Sequence, residues 1–105
     1  MAQSALVIDV LTPLGFRVVC SAEYWERIVT IKHPPMRGRL TEVVATLSEP
    51  DEVRRSVNDP EVLLFHRVVM PRWVCAVVKR SGGIGYLITA YPADRIKRGD
   101  VVWTK

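Results

Sequence analysis

An α+β fold is expected from three features of the chain. Two stretches with helical spacing come first, segments with a period of two follow, and the turns between those later segments are short. Short turns join strands as hairpins and so build an antiparallel meander. The expectation is a two-layer domain, with two N-terminal helices packed on a four- to five-stranded antiparallel sheet. With 105 residues there is material for one core and not two, so residues 1–105 are read as a single domain.

Leu6 to Leu11 is short and apolar, an edge strand or an extended arm. Thr12-Pro13-Leu14-Gly15 is turn chemistry, and Phe16 to Cys20 suits a second short strand. Ser21 is a good N-cap, and Glu23 lies in the first turn, where a negative charge suits the helix dipole. The first helix is expected from Ala22 to about His33. Trp25, Ile28 and Val29 follow three-and-four spacing, with Lys32 continuing the row. Pro34 and Pro35 end it, because neither can donate a helical hydrogen bond. After the basic loop Met36-Arg37-Gly38-Arg39, a second helix is expected from Leu40 to Leu47, with Leu40, Val43, Val44 and Leu47 as its apolar stripe.

The period then changes to two. Glu52 to Val57 is expected as a strand with Val53 on one face and Arg54 and Ser56 on the other. Asn58-Asp59-Pro60-Glu61 turns the chain into a longer strand, Val62 to Met70. Trp73 to Lys79 is apolar on both faces, as a central strand should be. The glycine-rich turn Ser81-Gly82-Gly83-Ile84-Gly85 leads into Tyr86-Leu87-Ile88-Thr89-Ala90-Tyr91, stopped by Pro92. Strict alternation puts Tyr86, Ile88 and Ala90 on the core face and Leu87, Thr89 and Tyr91 on the other. A basic connection with Arg95, Lys97 and Arg98 leads to a last short strand, Val101 to Trp103.

Composition narrows the function classes. Hydrophobic residues are 49% and charged residues 25%, the profile of a globular chain. A net charge of +4 and a pI near 9.4 favour an acidic partner, of which nucleic acid is the commonest. No apolar run reaches the 18 residues of a membrane span, and no secretory leader pattern opens the chain, so no membrane partner and a cytoplasmic location are expected. Cys20 and Cys75 stand far apart without metal-binding spacing; they read as buried thiols or one disulfide. No metal and no cofactor are expected.

Two helices can cover only one face of the sheet. The other face gathers Arg54, Ser56, Thr89, Tyr91 and either His66 or Arg67; Phe65 in the core would turn His66 outward. Cations, hydroxyls and an imidazole without a carboxylate cluster suit phosphodiester chemistry on RNA. A metal-free ribonuclease needs a group to take the 2′-OH proton, a proton for the leaving 5′-oxygen, and donors around the charged phosphorus. The 2′-OH is its own nucleophile, and the product is a 2′,3′-cyclic phosphate. Plainer readings exist beside these. His33 at a helix end can serve as a cap, Arg54 and Arg55 as a solvated edge, and Trp25, Trp73 and Trp103 as core.

Four features in order resemble a known group. A helix carries Trp25 and Ile28 and ends in Lys32-His33-Pro34. A second helix runs into Leu47-Ser48-Glu49-Pro50-Asp51-Glu52-Val53, followed by Arg55-Ser56 and Asp59-Pro60. Hydrophobic strands hold Phe65-His66-Arg67, and Leu87-Ile88-Thr89-Ala90-Tyr91-Pro92 leads to Ile96-Lys97-Arg98-Gly99. The pattern, over roughly Val18 to Trp103, resembles the phage and toxin branch of the barnase–EndoU–colicin–RelE ribonuclease superfamily. The resemblance implies a small metal-independent endoribonuclease with RNA on the open sheet face. It implies His33 as acid or base, with Thr89 and Tyr91 completing the catalytic set. Arg54 or Arg55 with Ser56 would hold the phosphate, and His66 and Lys97 would add substrate contacts. It also implies an antitoxin or immunity protein as partner. The alternative function is a non-catalytic nucleic-acid-binding or protein-interaction module.

Overall fold

The computed structural model describes residues 5–105. Its elements are β1 (Leu6–Leu11), β2 (Arg17–Ser21), α1 (Ala22–Arg27), α2 (Leu40–Ser48), β3 (Glu52–Ser56), β4 (Val62–Val69), β5 (Arg72–Ser81), β6 (Ile84–Ala93) and β7 (Gly99–Thr104). The strands form one seven-stranded mixed sheet in the order β1-β2-β6-β5-β4-β3-β7. This overturns the expected two helices on a four- to five-stranded antiparallel sheet. Among the described residues about half are strand, with only two short α-helices.

The extra strands have a definite origin. β1 and β2 form a hairpin, and β2 then pairs in parallel with the start of β6, Arg17–Val19 against Ile84–Tyr86. β5 runs along one side of β6, and β2 covers only the first part of the other. β7 does not use the open half of β6 and pairs antiparallel with β3 at the far edge. The connection 94–98 must cross to reach it, and it lies over a face of the sheet as a strap.

The first helix is shorter than its periodicity suggests. Ser21 caps it as expected, its hydroxyl accepting from Tyr24 N–H at 3.0 Å. The run Ile28-Val29-Thr30-Ile31 is β-branched throughout, which crowds an α-helical turn. Over Ile28–Lys32 the chain widens into a π-helical turn, and the His33 N–H donates to the Ile28 carbonyl at 2.7 Å. Pro34–Met36 follow as a 3₁₀ turn, which carries Met36 into the core.

One face of the sheet holds the core. Val18, Val53, Phe65, Ala76, Val78, Leu87 and Ala90 pack there against Trp25, Ile28, Met36, Val43 and Leu47. Ile28, Val43 and Leu47 are fully buried, each worth roughly 1.5–3 kcal/mol relative to exposure. Gly85 is also buried, and its bare Cα admits Phe16: a Cβ there would lie 2.8 Å from Phe16 Cε2 and from Val78 Cγ1.

β6 departs from strict alternation. Val78 pairs with Leu87, yet Val77 pairs with Thr89, so Ile88 is the extra residue of a bulge. The bulge restores Leu87 to the core and turns Tyr86 to the second face with Thr89 and Tyr91. This reverses the expected placing of Tyr86 and Leu87. The second face is not bare: Leu64, His66 and Cys75 are buried on it, beneath the strap, where the Lys97 N–H donates to His66 Nε2 at 3.3 Å. Arg67 takes the helix-covered face, close enough to Glu42 on α2 to favour its carboxylate form.

Candidate active site

The site exists because β2 stops pairing early. Beyond Tyr86 the edge of β6 has no strand partner among the described residues. The Ile88 carbonyl there accepts from the Tyr24 hydroxyl at 2.7 Å and from Lys32 Nζ at 3.0 Å, and Lys32 Nζ also donates to the Tyr24 hydroxyl at 2.9 Å. These bonds tie the π-helical turn to the open half of β6. His33, the next residue, lies round that edge on the second face. Its ring is 5.2 Å from the Tyr91 ring, centroid to centroid, tilted by 37°.

Between this pair and the strap lies a cleft of about 820 Å³. His33, Thr89 and Tyr91 form one wall, Val77 and Ala93 belong to the floor, and Asp94 to Arg98 make the opposite wall. Lys97 Nζ sits 6.0 Å from the centre of the Tyr91 ring. Arg95, Lys97 and Arg98 are exposed on the rim. The one carboxylate of the lining, Asp94, pairs with Arg72 at 2.9 Å, outside the cleft. The cleft is therefore cationic, with an apolar floor.

The protonation states follow from burial. Tyr91 is held well above the ordinary phenol range, by burial first and then by the Cys75 thiol beside its hydroxyl. Its hydroxyl is a proton-bearing donor at neutral pH and not a base. Burial likewise pushes the Cys75 thiol up to about 11, leaving an inert floor group. Both cysteines are free and buried, which resolves the sequence alternative in favour of thiols. The Thr89 hydroxyl is buried with no hydrogen-bond partner among the described residues. A buried hydroxyl without a partner costs on the order of 1–3 kcal/mol.

The structure brings four of the eight expected site residues together: His33, Thr89, Tyr91 and Lys97. It does not bring the other four to the cleft. Arg54 shares the second face but sits three strands away on β3, its Nε 2.5 Å from Glu52 Oε2. Arg55 lies near Pro60, Glu61 and Arg80, in a separate pocket. Ser56 is at the far end of β3, where its hydroxyl accepts from Asn58 N–H at 3.2 Å.

His66 does point away from Phe65, but it is completely buried and touches no solvent. Burial, the largest effect, lowers its pKa to about 4; Glu52 opposes the shift and Arg54 adds to it. A neutral imidazole under the strap can position Lys97 and cannot reach a substrate. Arg95, Arg98, Ile96 and Val77 line the cleft too, and none of them is among the residues the sequence predicts for the site. The basic run in the connection was the available signal, and its path across the face was not visible.

Compared with family models, with curated proteins and with solved structures, the chain matches none. Among the described residues, no helix is long and apolar enough to cross a membrane.

Proposed function

We propose that the protein is a small, metal-independent, toxin-like endoribonuclease that cleaves RNA by attack of the 2′-OH, leaving a 2′,3′-cyclic phosphate. The observation that carries this reading is the His33 imidazole beside Tyr91, in one cleft with an unpartnered buried hydroxyl and three cationic side chains. His33 takes the proton of the 2′-OH. The 2′-oxygen bonds to phosphorus, the bond from phosphorus to the 5′-oxygen breaks, and that oxygen takes a proton from water in the open cleft. Tyr91 stays protonated and donates a hydrogen bond to a non-bridging phosphoryl oxygen, while Lys97 offsets the added negative charge. Thr89 supplies a further donor. His33, Tyr91 and Thr89 are thus the catalytic set, and Lys97, Arg95 and Arg98 hold the phosphates. A neutralising protein partner of the kind the resemblance implies would have to present carboxylates to the same rim.

One observation favours a second reading, a binding module without catalysis. The cleft holds one imidazole, and the hydroxyl beside it is a very weak acid and no base, so the imidazole has no matched second acid–base partner there. Incubation of purified protein with RNA in EDTA separates the two. The nuclease reading predicts cleavage. The binding reading predicts salt-sensitive association with intact RNA.

A further inference from the structure

A second opening lies on the other side of the Ile88 bulge. Where β2 and β6 diverge, a groove of about 450 Å³ is lined by Leu6, Val19, Tyr24, Tyr86, Leu87 and Ile88, with the Cys20–Ser21 end of β2 closing it. No lining residue is acidic. Tyr86 is 49% exposed, though its strand neighbours Gly85 and Leu87 are buried. The bulge is the reason, since without it Tyr86 would face the core.

We infer that this groove is a base-binding subsite for single-stranded RNA, holding a nucleotide that flanks the one whose phosphate sits at His33. The inference rests on the proposed ribonuclease reading and names the form of its substrate. Three observations support it. The groove and the cleft are neighbours along β6: Ile88 lines one and Thr89, the next residue, lines the other. Tyr86, Thr89 and Tyr91 share a face, so the two tyrosines stand about 15 Å apart along the strand, the scale of a short oligonucleotide. A cation marks the passage between them, because Lys32 Nζ is bonded to the Ile88 carbonyl. Two of its three N–H donors meet Tyr24 and Ile88; the third serves a bridging phosphate. A half-exposed tyrosine over an apolar floor is the stacking surface an unpaired base uses, whereas a duplex keeps its bases out of reach.

The test is binding of a 2′-O-methyl RNA hexamer, which lacks the nucleophilic hydroxyl and stays uncut, read as Kd by fluorescence anisotropy. Tyr86→Ala should weaken binding by about fivefold or more, while Tyr86→Phe keeps the stacking ring and the affinity. Leu6→Glu, a change at a half-exposed position that puts a carboxylate on the groove rim, should weaken binding in the same direction and covers the case of a poorly folded alanine variant. A duplex of the same sequence should show no dependence on Tyr86. Equal Kd values for wild type, Tyr86→Ala and Leu6→Glu would overturn the subsite, and His33-dependent cleavage would still stand. Tyr86-dependent binding with no cleavage of ordinary RNA would uphold the subsite and overturn the nuclease. A wild-type protein that neither binds nor cuts RNA overturns both.

Discussion

His66→Gln should flatten the acid side of the protein's stability profile. In the unfolded chain this histidine takes a proton near its ordinary pKa of 6.5, whereas burial keeps the folded one neutral down to about 4. Between those values the unfolded state binds more protons than the folded state, so stability falls as pH falls. The contribution is fully present above 6.5 and is lost through the window down to 4. A shift from 6.5 to about 4 corresponds to about 3 kcal/mol in full, of which about 2 kcal/mol is lost between pH 7 and pH 5. Glutamine cannot be protonated and still offers an acceptor to the Lys97 N–H. Urea unfolding of both proteins at pH 7 and pH 5 gives the comparison directly. The wild type should lose about 2 kcal/mol more than the variant over that interval. Parallel losses would mean that His66 is not held neutral beneath the strap, and the account of the second face would fail with it.

Two further perturbations probe the framework around the cleft. Gly85→Ala forces a methyl group to within 2.8 Å of Phe16 and Val78 and should cost about 1–3 kcal/mol by overpacking, read as a lower urea midpoint. Tyr24→Phe removes the hydroxyl that binds the Ile88 carbonyl; unfolding should show a loss of about 1 kcal/mol, and hydrogen exchange at His33 should quicken as the π-helical turn loosens from β6.

Much of the strand layout was legible in residue types. Each period-two segment is a strand and Ser21 caps the first helix, but that helix ends at Arg27, before the expected stop, and Pro34 and Pro35 begin a 3₁₀ turn. Three non-local events were not legible. Parallel pairing of β2 with β6 depends on a hairpin that short apolar segments barely announce, and the sequence of the last strand does not show that β7 pairs with β3 at the far edge. The Ile88 bulge is invisible to strict alternation, which assumes one residue opposite one residue and so puts Tyr86 and Leu87 on the wrong faces. The strap over Leu64, His66 and Cys75 is a consequence of that topology. It turned an expected surface histidine into a buried neutral one and moved the cationic wall from Arg54 and Arg55 to Arg95, Lys97 and Arg98. The grouping of His33 with Thr89 and Tyr91 comes from the family resemblance and not from residue types, which offer His33 as a helix cap. Their meeting depends on the β-branched run that widens the first helix and on the open edge of β6.

The central claim is that one imidazole works on a phosphate held at the rim of β6. The direct measurement is the chemistry of the cut ends when RNA is incubated with the protein in EDTA, by mass spectrometry, for wild type and His33→Ala. The account predicts 2′,3′-cyclic phosphate ends from the wild type, with formation at least about a hundredfold slower in the variant. Cyclic ends formed equally fast without His33, or RNA left intact by the wild type, would contradict it.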